Sequence, residues 1–101
     1  MKIEIKGFIK SVMSPVDRKG TLVQDIVIRI PERKDEFETV VSKEQFYPMA
    51  LIREKIDEYK LQGKIGKKVM VTGYLNGREI VTQSGIQYGL SLVVKEIKFL
   101  D

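Results

Sequence analysis

Apolar and polar residues alternate along most of this chain, and the alternation divides it into strands. Residues 2–13 set Ile3, Ile5 and Ile9 against Lys2, Glu4, Lys6 and Lys10, the period of two that sends successive side chains to opposite faces of a sheet. Gly7 lies inside this run, where a glycine marks a bulge or bend. A loop follows over 14–20. Residues 21–30 predict a second strand with Ile26, Ile28 and Ile30 on one face, Asp25, Val27 and Arg29 on the other, and Pro31 at its end. The polar bridge 32–35 is short, so 36–42 is predicted as an antiparallel third strand. Then the period changes. Ser42, Lys43, Glu44 and Gln45 resemble a capping box, but Pro48 suits the first turn of a helix. The main helix is therefore placed over 48–60, with Ile52, Ile56 and Tyr59 as its core stripe and Gly63 as a stop. Residues 66–76 predict strand four, with Val69, Val71 and Leu75 opposite Met70, Thr72 and Tyr74. Residues 76–87 read as a long hairpin arm turning near Ser84 and Gly85, and 88–100 as the fifth strand. Its apolar phase shifts from Leu90, Leu92 and Val94 to Ile97 and Phe99, which predicts a bulge near Lys95 and Glu96.

Three strands, a helix and two strands, in one domain over residues 1–101, is the order of the OB-fold: an all-β, five-stranded Greek-key barrel with one helix, placed between strands three and four. A hydrophobic fraction of 43% with 32% charged residues describes a folded globular chain. No apolar run reaches the ~20 residues that span a bilayer, so no membrane partner is expected. The first residues lack the apolar stretch of a signal peptide, which makes the cytoplasm the expected compartment. The chain has no cysteine and no histidine, which excludes disulfides, thiolate chemistry, histidine bases and the usual zinc sites. Asp35, Glu36, Glu38 and Glu44 are interleaved with cations and read as a solvated face. No nucleophile with a base and no phosphate-cradling glycine loop is visible, so neither an enzyme nor a cofactor or metal is expected.

The net charge is +4, with cation pairs at Arg18-Lys19, Arg33-Lys34 and Lys67-Lys68, a balance that suits a polyanionic partner. The stretch from Gly63 to Arg78, with Lys67-Lys68-Val69-Met70-Val71-Thr72-Gly73-Tyr74-Leu75 at its heart, resembles the bacterial single-stranded DNA-binding (SSB) family. Gln83-Ser84-Gly85, Tyr88 and the closing run Leu92-Val93-Val94 continue the resemblance. Upstream, 36–41 resembles the family's Glu-Trp-x-x-Val-Val strand with Phe37 at the tryptophan, and 5–9 resembles its first strand. The sequence departs from the family in three places. The connection between strands two and three, 32–35, is shorter and lacks the family's aromatic. Ile80 stands where the family's arm has tryptophan. The sequence reads to Asp101 directly after the last strand, so the family's acidic-tipped tail for recruiting partner proteins is not expected.

The resemblance implies sequence-nonspecific binding of single-stranded DNA in replication, recombination or repair, and a homo-oligomer, dimer or tetramer, for which Val23, Val27 and Met70 offer outward apolar surface. Such binding needs rings to stack bases and cations to track phosphates. Phe37 is the first candidate ring, with a core position as its other reading. Tyr74 is out of phase with the core residues of its strand and points outward. Phe8 lies between Lys6 and Lys10 in a basic-aromatic-basic stripe, unless a bulge at Gly7 reverses the phase and buries it. Tyr88 matches the family but is in phase with Leu90 and Leu92, a structural position. Arg29, Arg78, Lys10, Lys43, Lys67 and Lys68 are the candidate phosphate ligands. The alternatives are an OB module for protein interaction, such as a primosome component with weak DNA or RNA binding, and an RNA-binding protein.

Overall fold

Strand β1 (Lys2–Val12) keeps the expected alternation: Ile5, Gly7 and Ile9 are buried while Lys2, Glu4, Lys6 and Lys10 are exposed. It begins a computed structural model in which residues 1–100 are described. β2 (Val16–Arg18) and β3 (Thr21–Ile30) follow, then a small hairpin of β4 (Arg33–Lys34) and β5 (Val40–Ser42), then β6 (Gln45–Ile52), the helix α1 (Glu54–Tyr59), and two long strands, β7 (Lys68–Thr82) and β8 (Gly85–Phe99). Hydrogen bonding runs β1, β7, β8, β6, β3 and returns from β3 to β1, with β2 added along β3. Five strands thus close into a barrel. β6 and β8 meet in parallel at Ala50 and Val93, and the other barrel pairs are antiparallel. This is the OB-fold. Its helix lies between β6 and β7, the third and fourth strands of the barrel but not of the chain.

Closure depends on β1 changing partners. Residues 2–8 pair with β7, and residues 8–12 pair with β3, so Phe8 faces Lys68 on one side and Arg29 on the other. At the crossing a Cβ on Gly7 would lie 2.4 Å from the Arg29 carbonyl oxygen and 2.9 Å from Ile28 Cγ2. Gly7 therefore marks a close approach of two backbones rather than a bulge, and the phase through Phe8 is unbroken. The bulge comes later: Ile9 pairs with Ile28 and Ser11 with Val27, which leaves Lys10 over. The second predicted bulge lies where the phase shift put it. Thr72 pairs with Glu96 and Gly73 with Val94, so Lys95 is the extra residue.

Two sequence expectations are corrected. Residues 36–42 do not form the third barrel strand, because Asp35 turns the chain back on itself. Its Oδ1 accepts the backbone N–H of Phe37 (2.9 Å) and Thr39 (3.0 Å), and Glu38 takes a left-handed φ of 63°. The connection between the second and third barrel strands is therefore not the short bridge 32–35 but the whole segment 31–44. The helix does not begin at Pro48 either. The third barrel strand is β6, and residues 42–45, read as a capping box, lead into it. Pro48 fits because β3 pairs along all of β6, whereas β8 joins the other side at Ala50, so the missing N–H falls on a nearly open edge. The helix is reduced to six residues between Arg53 and Lys60, both at positive φ (54° and 48°), Lys60 in the left-handed helical conformation.

Ile5, Ile9, Ile26, Ile28, Met49, Leu51, Val69, Val71, Leu92, Val94 and Ile97 fill the barrel, with Ile56 of α1 and Leu61 packed on them. Burying each such side chain contributes about 1.5–3 kcal/mol. The 15 residues of β7 and of β8, at about 3.3 Å each, match the molecule's longest dimension of 50 Å. Their distal halves form the expected arm, which leaves the barrel near Asn76 and Ser91 and turns at Gly85.

Candidate nucleic-acid interface

The register of the barrel builds a row of four side chains across its outer surface. Lys68 of β7 pairs with Phe8 of β1, Phe8 with Arg29 of β3, and Arg29 with Phe46 of β6. All four belong to the outward phase of their strands, since Val69, Ile9 and Ile28 beside the first three are buried inside and Tyr47 beside Phe46 packs against the core. Cation and ring alternate along the row. The Arg29 guanidinium lies 5.3 Å from the centre of the Phe8 ring, in cation–π range. On its other side Arg29 Nη1 donates to Glu44 Oε2 at 3.3 Å. Phe46 is 49% exposed, large for a phenylalanine on a barrel wall. Lys67 and Lys10 extend the positive end, because the Ile9 N–H donates to the Lys67 carbonyl at 3.0 Å and Lys10 is the exposed bulge residue beside it.

Two residues further along the same strands, Val27 pairs with Pro48, and the row opens into a groove of about 470 Å³. Arg18, Asp25, Val27, Pro48, Arg78 and Leu90 line it. The arm thus forms one wall and the β2 segment the other. Arg18 donates to Asp25 Oδ2 at 2.7 Å, which neutralises the acid and fixes the guanidinium at the rim.

Phe37 sits in neither place. It is 78% exposed at the turn of the β4–β5 hairpin. That hairpin lies in the segment joining β3 to β6, so it rises from the Arg29 and Phe46 end of the row. Asp35 holds the turn and thereby limits the positions Phe37 can reach. Asp35→Asn keeps the acceptor oxygen and Asp35→Ala deletes it, while both remove one negative charge. If pre-organisation of Phe37 matters, titration of a labelled oligo-dT is expected to show Asp35→Ala binding at least several-fold more weakly than Asp35→Asn. Equal affinities would assign Asp35 a purely electrostatic effect.

The row and groove unite Phe8, Arg29, Arg78, Lys10, Lys67 and Lys68 of the sequence candidates. Lys43 is exposed and adjoins Glu44, at the loop's return to β6. Tyr74 points outward as expected, but at the other end of the β1–β7 ladder from Lys68 and Phe8. It pairs with Lys2 of β1 and Val93 of β8, with Lys95 Nζ 5.8 Å from its ring. Lys2 is six residues from Phe8 along β1, about 20 Å. Tyr88 does not pack in the core. It is 78% exposed on the arm, in line with Leu90, because the barrel ends before the phase shared with Leu92 can bury it. Phe46 and Arg18 were missed. The run Phe46-Tyr47-Pro48-Met49-Ala50-Leu51-Ile52 is a short apolar stretch of strand length, a signal that the helix reading of Pro48 overrode.

Several solved structures share this fold. The mitochondrial single-stranded DNA binding protein of S. cerevisiae, Rim1, superposes with a TM-score of 0.73 at 20% identity, covering 99% of this chain and 94% of that one. A Plasmodium falciparum SSB in complex with ssDNA gives 0.67 at 18% identity over 99% and 94%. A deletion mutant of the single-stranded DNA binding protein from Thermus aquaticus gives 0.75 at 13% identity, over 99% of this chain and 50% of its own. No protein-family model and no curated protein sequence matches the chain. What these proteins share with it is the OB barrel.

Proposed function

We propose that this protein binds single-stranded DNA without reading its sequence, along the outer face of β3 and β6, and serves replication, recombination or repair. The row Lys68, Phe8, Arg29, Phe46 carries the proposal: two rings and two cations in register across four adjacent strands, opening into a groove with Arg18 and Arg78 on its walls. The rings offer stacking surface to any base, and the cations neutralise phosphates, so neither requires a particular sequence. In OB-folds the second and third barrel strands, with the loops flanking them, are the face that takes oligonucleotides. Here these are β3, β6, the β2 segment and the arm. The solved structures with this fold are named as single-stranded DNA binding proteins, which supports the same reading.

Fluorescence anisotropy with oligo-dT, oligo-rU and duplex DNA at low and physiological salt tests the proposal. Oligo-dT is expected to bind at micromolar or tighter concentration, with log K falling against log salt by about 0.7 per phosphate neutralised. Duplex DNA is expected to bind more weakly, because its bases are not free to stack. Oligo-rU binding as tight as oligo-dT would widen the role to single strands in general. No binding of oligo-dT at low salt would sink the proposal and leave protein interaction as the use of this face.

A further inference from the structure

Arg29 is the central cation of the row, and in the free protein it is already occupied by an oxyanion: the carboxylate of Glu44, whose Oε2 lies 3.3 Å from Arg29 Nη1. Glu44 stands at the return of the 31–44 loop, one residue before β6 begins and two before Phe46. That loop runs against the charge of the whole. Glu32, Asp35, Glu36, Glu38 and Glu44 outnumber Arg33, Lys34 and Lys43, whereas the chain carries +4. Lys34 is itself approached by Glu32 at 3.8 Å and Glu38 at 3.9 Å. Of the loop's carboxylates, Glu44 is the one that reaches the cationic row, and a carboxylate there opposes capture of a polyanion. A guanidinium offers carboxylate and phosphate oxygens the same planar fork of donors, so Glu44 occupies the position a backbone phosphate would take.

We infer that Glu44 is an internal competitor for Arg29, a residue that sets affinity for single-stranded DNA by holding the phosphate seat until a strand displaces it. The inference rests on the proposed binding face. While Glu44 is in place, Arg29 is held over the Phe8 ring, ready for a phosphate. Entry of a strand exchanges one oxyanion for another and releases the loop, which carries Phe37. The arrangement disfavours isolated or weakly held anions, which cannot both displace Glu44 and stack on the rings.

The test is a double-mutant cycle read by oligo-dT affinity at low and physiological salt, with Glu44→Gln, Arg29→Gln and the double variant, each checked for folding by circular dichroism. Both side chains are partly exposed, with 33% and 45% of their surfaces free, so the pair is a weak one. Glu44→Gln is expected to tighten binding roughly two- to five-fold at low salt. The gain is expected to shrink at physiological salt, where the pair is already screened, and to fall below about half its value in the Arg29→Gln background. An equal gain in both backgrounds would reduce Glu44 to a general repulsive charge and overturn the inference. Unchanged or weaker binding by Glu44→Gln would overturn it as well. Both results leave the binding face standing so long as the wild-type protein binds oligo-dT. If the wild-type protein does not bind, the face and the competitor fall together.

Discussion

Replacing Phe46 with alanine is expected to weaken oligo-dT binding by about 1–3 kcal/mol, roughly 5- to 150-fold in Kd, with the fold intact. The ring stands on the outer side of β6, between Gln45 and Tyr47, whereas Met49 and Leu51, in the opposite phase of the strand, hold the barrel interior, so its removal opens no cavity. What is lost is a flat apolar surface beside Arg29. Because stacking does not involve counterions, the slope of log K against log salt is expected to stay as it is, whereas Arg29→Gln lowers both the affinity and the slope. Tyr74→Ala is the companion variant. Tyr74 lies at the far end of the β1–β7 ladder, about 20 Å along the strand from Phe8 and Lys68, and its loss is expected to change affinity by less than about two-fold. Equal losses for Phe46→Ala and Tyr74→Ala would place the strand on a different path over the protein.

Gly7→Ala is expected to be the most destabilising single-methyl change in the barrel. The added carbon would lie 2.4 Å from the Arg29 carbonyl oxygen, a backbone atom fixed by its own ladder. The collision cannot be relieved by a rotamer change. β1 must lift from β3 at the point where it closes the barrel, and overpacking of this kind costs about 3 kcal/mol. For a domain of this size that corresponds to a fall in Tm of roughly 12–24 °C, measurable by calorimetry. Gly77→Ala is the control, since its Cβ would meet only the Leu90 Cδ2 at 3.8 Å, and its effect is expected within about 0.5 kcal/mol. A Gly7 variant as stable as the control would mean that β1 and β3 close less tightly than their backbones indicate. The close approach lies beneath the Phe8 and Arg29 pair, so partial unfolding there is also expected to weaken DNA binding.

Much of the site was legible one residue at a time. The period of two placed Phe8, Arg29 and Tyr74 on outward faces, and all three point outward. It also located the bulge at Lys95, because an extra residue reverses the phase of everything beyond it and a reversal is visible in sequence. Phe37 was assigned to a strand because its neighbours alternate, but Asp35 captures two backbone N–H groups of the same stretch and makes a turn of it. Side-chain capture of this kind competes with strand pairing over a few residues, and alternation alone does not reveal which prevails. Tyr88 failed in the opposite way. Its phase is that of Leu92, which is buried, but burial needs a barrel to be present at that height, and at Tyr88 the strands have left it.

By itself the sequence determined that this chain folds as strands closed around one apolar core, because alternation, punctuating glycines and prolines, and strand length are local properties of the chain. It also determined which side of a strand most residues occupy. Which strands meet, and in what register, was decided by the tertiary structure. Pro48 shows why. A proline is read locally as a helix start or a strand breaker, and it is neither here because β6 has a nearly open edge at that point, a fact about β8 and not about residues 46 to 50. The same holds for the site. Lys68, Phe8, Arg29 and Phe46 lie far apart in the chain and come from four strands. They form one row because closure of the barrel brings β7, β1, β3 and β6 into pairing order, and hydrogen-bond register then sets their side chains opposite one another.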